Sequence, residues 1–217
     1  MDLRIVNTCN SDCIYCLEQS LRKKKKFLTK NEIFDILLWE KDKEVLSFYW
    51  WNPLMHPDLL EIISFGKEIW YKNISLLTNT YSLNEKLILE LKTSWLTGIS
   101  FYFHTLLENK HNIVVRSWIS LWDLLKNINL IVNSWLNYKC IIHVNKQNIE
   151  TLYKNVAYLS KKFWVKKFEF IKYHLVSRAW KDFKDLLEYT AWDEKKYLFY
   201  LNSIINKLSL DAHFVKF

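Results

Sequence analysis

Three cysteines stand within eight residues near the start of the chain, in the run Cys9-Asn10-Ser11-Asp12-Cys13-Ile14-Tyr15-Cys16. Thiolates are the usual iron–sulfur ligands, and three on one loop suit a [4Fe–4S] cluster whose fourth iron stays open to another ligand. A structural zinc site uses the same residue type but takes four ligands. The remaining cysteine, Cys140, lies far along the chain in an expected strand and reads as a small buried hydrophobe. A disulfide framework does not suit an odd local count.

The elements around this loop alternate. Strands are expected at residues 2–7, 44–49, 73–78, 98–103, 138–144 and 166–171, with a seventh near 211–216. Helices are expected at residues 30–41, 57–69, 82–93, 120–134, 148–163 and 193–208. Thr29-Lys30-Asn31-Glu32 spells a capping box, and Pro57-Asp58 suits a first helical turn. Alternating β and α implies an α/β fold on a parallel sheet with right-handed crossovers. Six such units make an open doubly wound sheet or a partial barrel, and spacing alone does not choose. Function gathers at the carboxyl ends of the strands in either case. The cysteine loop follows the first strand, Trp50-Trp51-Asn52-Pro53 the second, Thr78-Asn79 the third and His104 the fourth, so all four are expected on one face.

The CxxxCxxC spacing, with aromatic Tyr15 before the last cysteine and a first strand just upstream, resembles the signature of the radical S-adenosylmethionine (radical SAM) enzymes. The segment from Ser47 to Leu59 resembles that family's second-strand ending Gly-Gly-Glu-Pro with its following His-Pro-Asp, with Trp50 and Trp51 in place of the two glycines. Leu76-Leu77-Thr78-Asn79 is similar to a Thr-Asn-Gly ending, with Thr80 in the glycine slot. His104, His111, Arg116 and Ser117-Trp118 resemble a stretch after the fourth strand, and Ser177-Arg178-Ala179-Trp180 a Gly-Arg-Ala segment after the sixth. The similarity covers residues 3–180.

The resemblance implies a partial (βα)6 TIM-like barrel with two cofactors, a [4Fe–4S] cluster and S-adenosyl-L-methionine. Cys9, Cys13 and Cys16 would hold the cluster. The backbone at Tyr15 would lie against the adenine. The turn formed by Trp50, Trp51, Asn52 and Pro53 would receive the methionine amine, with Thr78 and Asn79 lining the same site, and Arg116 would pair with the carboxylate. Reductive cleavage of the sulfonium would give a 5′-deoxyadenosyl radical that abstracts hydrogen from a peptide or small-molecule substrate. A flavodoxin- or ferredoxin-type donor would supply the electron. Two residues depart from the family: Asn52 replaces the usual Glu, and Tyr102 stands where a small hydroxyl residue is usual. Alternatives of another class are a non-catalytic zinc or iron–sulfur module, and a degenerate or truncated relative that acts as a binding partner.

With 217 residues and no linker-like stretch, one domain spanning 1–217 is expected, its barrel over 2–180 and a C-terminal helix and strand over 190–217. No apolar run spans a bilayer, and the N-terminal strand leads straight into the cysteines, which suggests a cytoplasmic protein. The net charge is +8, yet apart from residues 22–26 the lysines are interspersed with acids, as on solvated helix faces, which argues against a nucleic-acid partner. His56 and His143 read as structural, and His104 and His111 as exposed or hydrogen-bonded.

One feature of composition is anomalous. The chain has 2 glycines and 11 tryptophans, where average usage would give roughly 15 glycines. Trp70, Trp95, Trp135 and Trp164 each occupy the slot after a helix's last turn, where glycine is enriched. With Trp50 and Trp51, they lead us to expect UGA codons that specify glycine and have been read here as tryptophan. Trp39, Trp122 and Trp192 sit in less diagnostic places.

Overall fold

The computed structural model describes residues 1–16, 27–117, 119–172, 188 and 191–215. The basic run at 22–26, Trp118 and residues 177–180 lie outside them.

The chain is α/β, with seven parallel strands alternating with helices. It divides into two compact units, one of Met1–Asn10, Leu21–Phe101 and Lys126–Tyr138, the other of Ser11–Ser20, Tyr102–Leu125 and Lys139–Phe217. Among the described residues, no helix is long and apolar enough to cross a membrane.

The first unit carries β1 (Asp2–Leu3), β2 (Val45–Phe48), β3 (Asn73–Thr78) and, up to Phe101, β4 (Gly98–Tyr102), paired in sequence order. Residues of β3 alternate, with Ile74, Leu76 and Thr78 buried, as the twofold period of a strand requires. Helix α1 (Lys30–Trp39) starts at the expected capping box: Glu32 N donates to Thr29 Oγ1 (3.2 Å) and Thr29 N to Glu32 Oε2 (2.7 Å). Phe34 of α1 stacks on Phe65 of α2 (Leu59–Glu68) at 3.8 Å between ring centroids. Gly66 lets α2 approach the sheet closely, since a β-carbon there would lie 3.2 Å from both Ile74 Cδ1 and Leu46 Cδ2. Helix α3 (Glu85–Thr93) is capped by Asn84, whose Oδ1 accepts from Leu87 N at 2.8 Å.

Two expectations need correction here. The first strand is two residues long rather than 2–7. Beyond Leu3, Ile5 and Val6 leave the ladder and bond instead to Leu28 and Phe27. Pro57 precedes α2, and Asp58 caps it without a side-chain hydrogen bond.

The second unit holds α4 (Glu108–Val115), which was not expected from sequence, β5 (Asn137–Val144) from Lys139 onward, and β6 (Lys167–Lys172) and β7 (Asp211–Val215) in order. Helix α5 (Leu121–Val132) contributes to both units. The expected 148–163 helix splits into a 3-10 turn at Ile149–Thr151 and α6 (Leu152–Phe163). Helix α7 (Ala191–Lys207) meets α6 through Tyr153 and Tyr200, whose rings are 5.5 Å apart. Cys140 is fully buried in β5, as its apolar neighbours imply.

Candidate functional site

Within the first unit, the strand ends bring Cys9, Asn10, Asn52, Thr78 and Asn79 into one polar network. Asn10 Oδ1 accepts from Asn79 Nδ2 (2.7 Å) and Asn52 Nδ2 (3.1 Å). Asn79 Nδ2 also lies 3.6 Å from Cys9 Sγ, a donor aimed at a sulfur. Thr78 Oγ1 donates to Asn52 Oδ1 at 2.9 Å and accepts from Thr80 N at 3.0 Å. Asn52 and Thr78 are fully buried, so their polar atoms depend on these partners. The amide at 52 is used from both ends, which explains the residue type. A carboxylate could accept from Thr78 but would have nothing to donate to Asn10.

The turn that leads into Asn52 has a left-handed backbone, with φ 70° at Trp50 and 60° at Trp51. The Trp50 ring lies under Arg4, whose guanidinium carbon is 5.0 Å from the centroid. Pro53 opens a 3-10 turn at Pro53–Met55 and is buried. His56 Nε2 pairs with the Leu28 carbonyl at 2.8 Å and its Nδ1 accepts from Asp58 N at 3.1 Å, the structural role expected of it.

In the second unit, the loop carrying Cys13 and Cys16 is fastened to the end of α4. Asp12 N donates to the Val115 carbonyl (3.2 Å) and Ile14 N to that of Val114 (2.9 Å), while Cys16 N closes a turn onto the Cys13 carbonyl (3.1 Å). Arg116 caps α4 with φ 49° and pairs with Asp12 at 3.7 Å, both side chains about half exposed. Tyr15 is buried between histidines, its hydroxyl 2.9 Å from His104 Nε2 and its ring 4.9 Å from that of His143. Tyr102 packs on the other neighbour of this group, with its ring 5.3 Å from His143, and His111 lies 6.0 Å from His104. Asn148 Nδ2 ties the backbone together by donating to the His104 and His143 carbonyls at 3.0 and 2.9 Å.

Burial keeps these imidazoles neutral. Desolvation lowers His111 and His143 to about 4. His104 falls well below the ordinary histidine value through burial, reinforced by His111 and His143. His104 Nδ1 has no hydrogen-bond partner among the described residues. The sequence singled out His104 and His111 but gave no sign that they, His143 and Tyr15 form one cluster, because their contacts are far apart along the chain.

Cys9, Cys13 and Cys16 are reduced and partly exposed, whereas Cys140 is sealed in the core with its thiol pushed up by burial. This donor set suits an iron–sulfur cluster, since cysteine sulfurs are the usual ligands of such clusters. Among the described residues, no three His, Cys, Asp or Glu side chains are grouped as ligands of a single metal ion. The 50–51 turn suits a close ligand in its backbone but not in its two indoles.

Known proteins add to this picture. The chain is 26% identical over 203 residues to a probable GTP 3',8-cyclase of Saccharolobus islandicus, covering 89% of this chain and 65% of that protein. A probable GTP 3',8-cyclase of Methanothermobacter marburgensis is 25% identical over 116 residues, which is 52% of this chain and 38% of its own. The chain therefore spans less than two thirds of the length of these relatives. Among solved structures, Streptococcus suis SuiB bound to precursor peptide SuiA superposes with a TM-score of 0.80, at 15% identity, over 99% of this chain and 48% of that one. Native anSMEcpe with bound AdoMet gives 0.74, at 16% identity, over 97% and 64%. These likenesses carry the fold, a TIM-like partial barrel. The family profile carries more: it matches residues 3–156, from the first strand through the cysteine loop into α6, and the chain belongs to the Radical SAM superfamily.

Proposed function

We propose that this chain is the radical-generating core of an enzyme that cleaves S-adenosylmethionine reductively and abstracts hydrogen from a peptide or small-molecule precursor. The observation that carries the reading is the spacing of Cys9, Cys13 and Cys16 on one loop of a superfamily member. These three residues would hold a [4Fe–4S] cluster and leave one iron for the methionine moiety. When bound, the two cofactors supply a 5′-deoxyadenosyl radical, the step that protein side chains cannot perform.

The residues of the chain bind and orient. The Asn79 amide donates toward Cys9 Sγ, and hydrogen bonds to cluster sulfurs tune reduction potential. Asn52, braced by Thr78 and Asn10, sets the 50–53 turn for the amine with a neutral carbonyl. The Arg116–Asp12 pair is half exposed, so exchanging Asp12 for a ligand carboxylate costs little. The relatives named as cyclases favour a cofactor precursor as substrate, and the SuiB likeness keeps a peptide in view. A net charge of +8 favours an acidic flavodoxin- or ferredoxin-type donor in the cytoplasm.

The test is anaerobic reconstitution with iron and sulfide, then S-adenosylmethionine and dithionite without substrate. It is run on the chain as written and on its Trp50→Gly/Trp51→Gly variant. Formation of 5′-deoxyadenosine that disappears with Cys13→Ser is expected. A colourless product that forms none in either version overturns the proposal.

A further inference from the structure

Nine described residues other than glycine have a left-handed backbone, and six of them are tryptophans: Trp50 (φ 70°), Trp51 (60°), Trp70 (76°), Trp95 (73°), Trp135 (65°) and Trp164 (60°). The others are Thr80, Arg116 and Ser209, and neither glycine of the chain adopts it. A β-carbon makes this region costly and a bulky side chain there is an outlier, whereas glycine enters it freely.

The local hydrogen bonds identify the slots independently. After α2, Tyr71 N donates to the Gly66 carbonyl at 3.0 Å, and after α3, Leu96 N donates to that of Leu91 at 3.0 Å. Each is the six-to-one bond of a Schellman closure, which places Trp70 and Trp95 at the position that glycine usually fills. Trp164 is the left-handed cap of α6, its N–H on the Leu159 carbonyl.

Burial points the same way. Among the described residues, the fully buried aromatic rings are Tyr71, Phe48, Phe101, Phe103, Phe168 and Phe170. None of the eight tryptophans with described side chains is buried, and Trp70 and Trp135 are 82% and 93% exposed. An indole normally repays its size by burial, yet six of these eight are exposed and only Trp50 and Trp51 are partly covered. Trp39 and Trp122 are exposed too, but their helical backbone does not discriminate.

We propose that the gene reads UGA as glycine, and that the natural protein carries glycine at Trp50, Trp51, Trp70, Trp95, Trp135 and Trp164. Four of these positions close helices. The other two form the turn at the carboxyl end of β2, where glycine would leave backbone N–H and C=O groups open to a ligand. The inference does not depend on the proposed function.

The codons and the native protein decide it. UGA at all six positions, with glycine at each in peptide masses of the protein isolated from its source, is the expected result. UGG codons, or tryptophan in those peptides, overturn it. A second measurement reads the backbone directly: the variant with Trp→Gly at all six positions should unfold on the order of 10 °C above the chain as written. An equal or lower Tm would show that these positions do not hold a glycine backbone.

Discussion

The hydroxyl of Tyr15 stands 2.9 Å from Nε2 of His104, two buried groups that tie the cysteine loop to the chain after β4. Tyr15→Phe removes this hydrogen bond and should cost about 1–3 kcal/mol, and His104→Ala should cost a similar amount beyond any cavity. Urea titrations of both single variants and the double variant check this. Additive costs would mean that the pair contributes no coupling.

Stability should fall in mild acid. His111 and His143 are held at about 4 by burial, and burial also holds His104 well below the ordinary histidine value. The unfolded chain protonates these residues near 6.5, so their contribution is present above that value and is lost as pH falls toward 4. The slope approaches about 1.4 kcal/mol per pH unit for each histidine. Urea midpoints between pH 7 and pH 4.5 should show it, and His143→Asn should flatten the dependence.

Asn52→Asp keeps the shape and the bond from Thr78 but withdraws the donor to Asn10. It also places a carboxylate in a fully buried site. A loss of about 1–3 kcal/mol is expected by chemical denaturation. Asn52→Asp with unchanged stability would mean that the amide donor to Asn10 is idle.

Affinity for S-adenosylmethionine should rise on Trp50→Gly/Trp51→Gly, because removing two indoles would open the backbone of the 50–53 turn to the methionine amine proposed to bind there. Calorimetry on anaerobically reconstituted protein measures it. Equal affinities of the two versions would refute the steric account.

The four cysteines should separate by role. Cys13→Ser should abolish iron retention and brown colour while leaving the unfolding transition nearly in place. Cys140→Ser should keep the iron but destabilise the fold by about 1–3 kcal/mol, since it buries a hydroxyl in the core.

Local signals were legible where one short segment holds the whole cause. The Thr29 and Glu32 box is complete within four residues and appears as read. The tryptophans at helix ends were legible as glycine slots for the same reason. Helix α4 was missed because Leu107 offers no side-chain cap and its buried face is His111, Val114 and Val115, which blurs the apolar period. The first strand was overextended because Ile5 and Val6 look like strand residues, and only the chain at Phe27 and Leu28 reveals where their backbone bonds go.

By itself, the sequence determined the alternating α/β architecture, the cysteine loop after the first strand and its superfamily, since periodicity, caps and motif spacing are properties of neighbouring residues. The tertiary structure alone decided that Asn52 spends both ends of its amide on Thr78 and Asn10, and that Tyr15, His104, His111 and His143 pack into one cluster. Hydrogen bonding and desolvation depend on which distant residues fold against a group, and no local pattern encodes that.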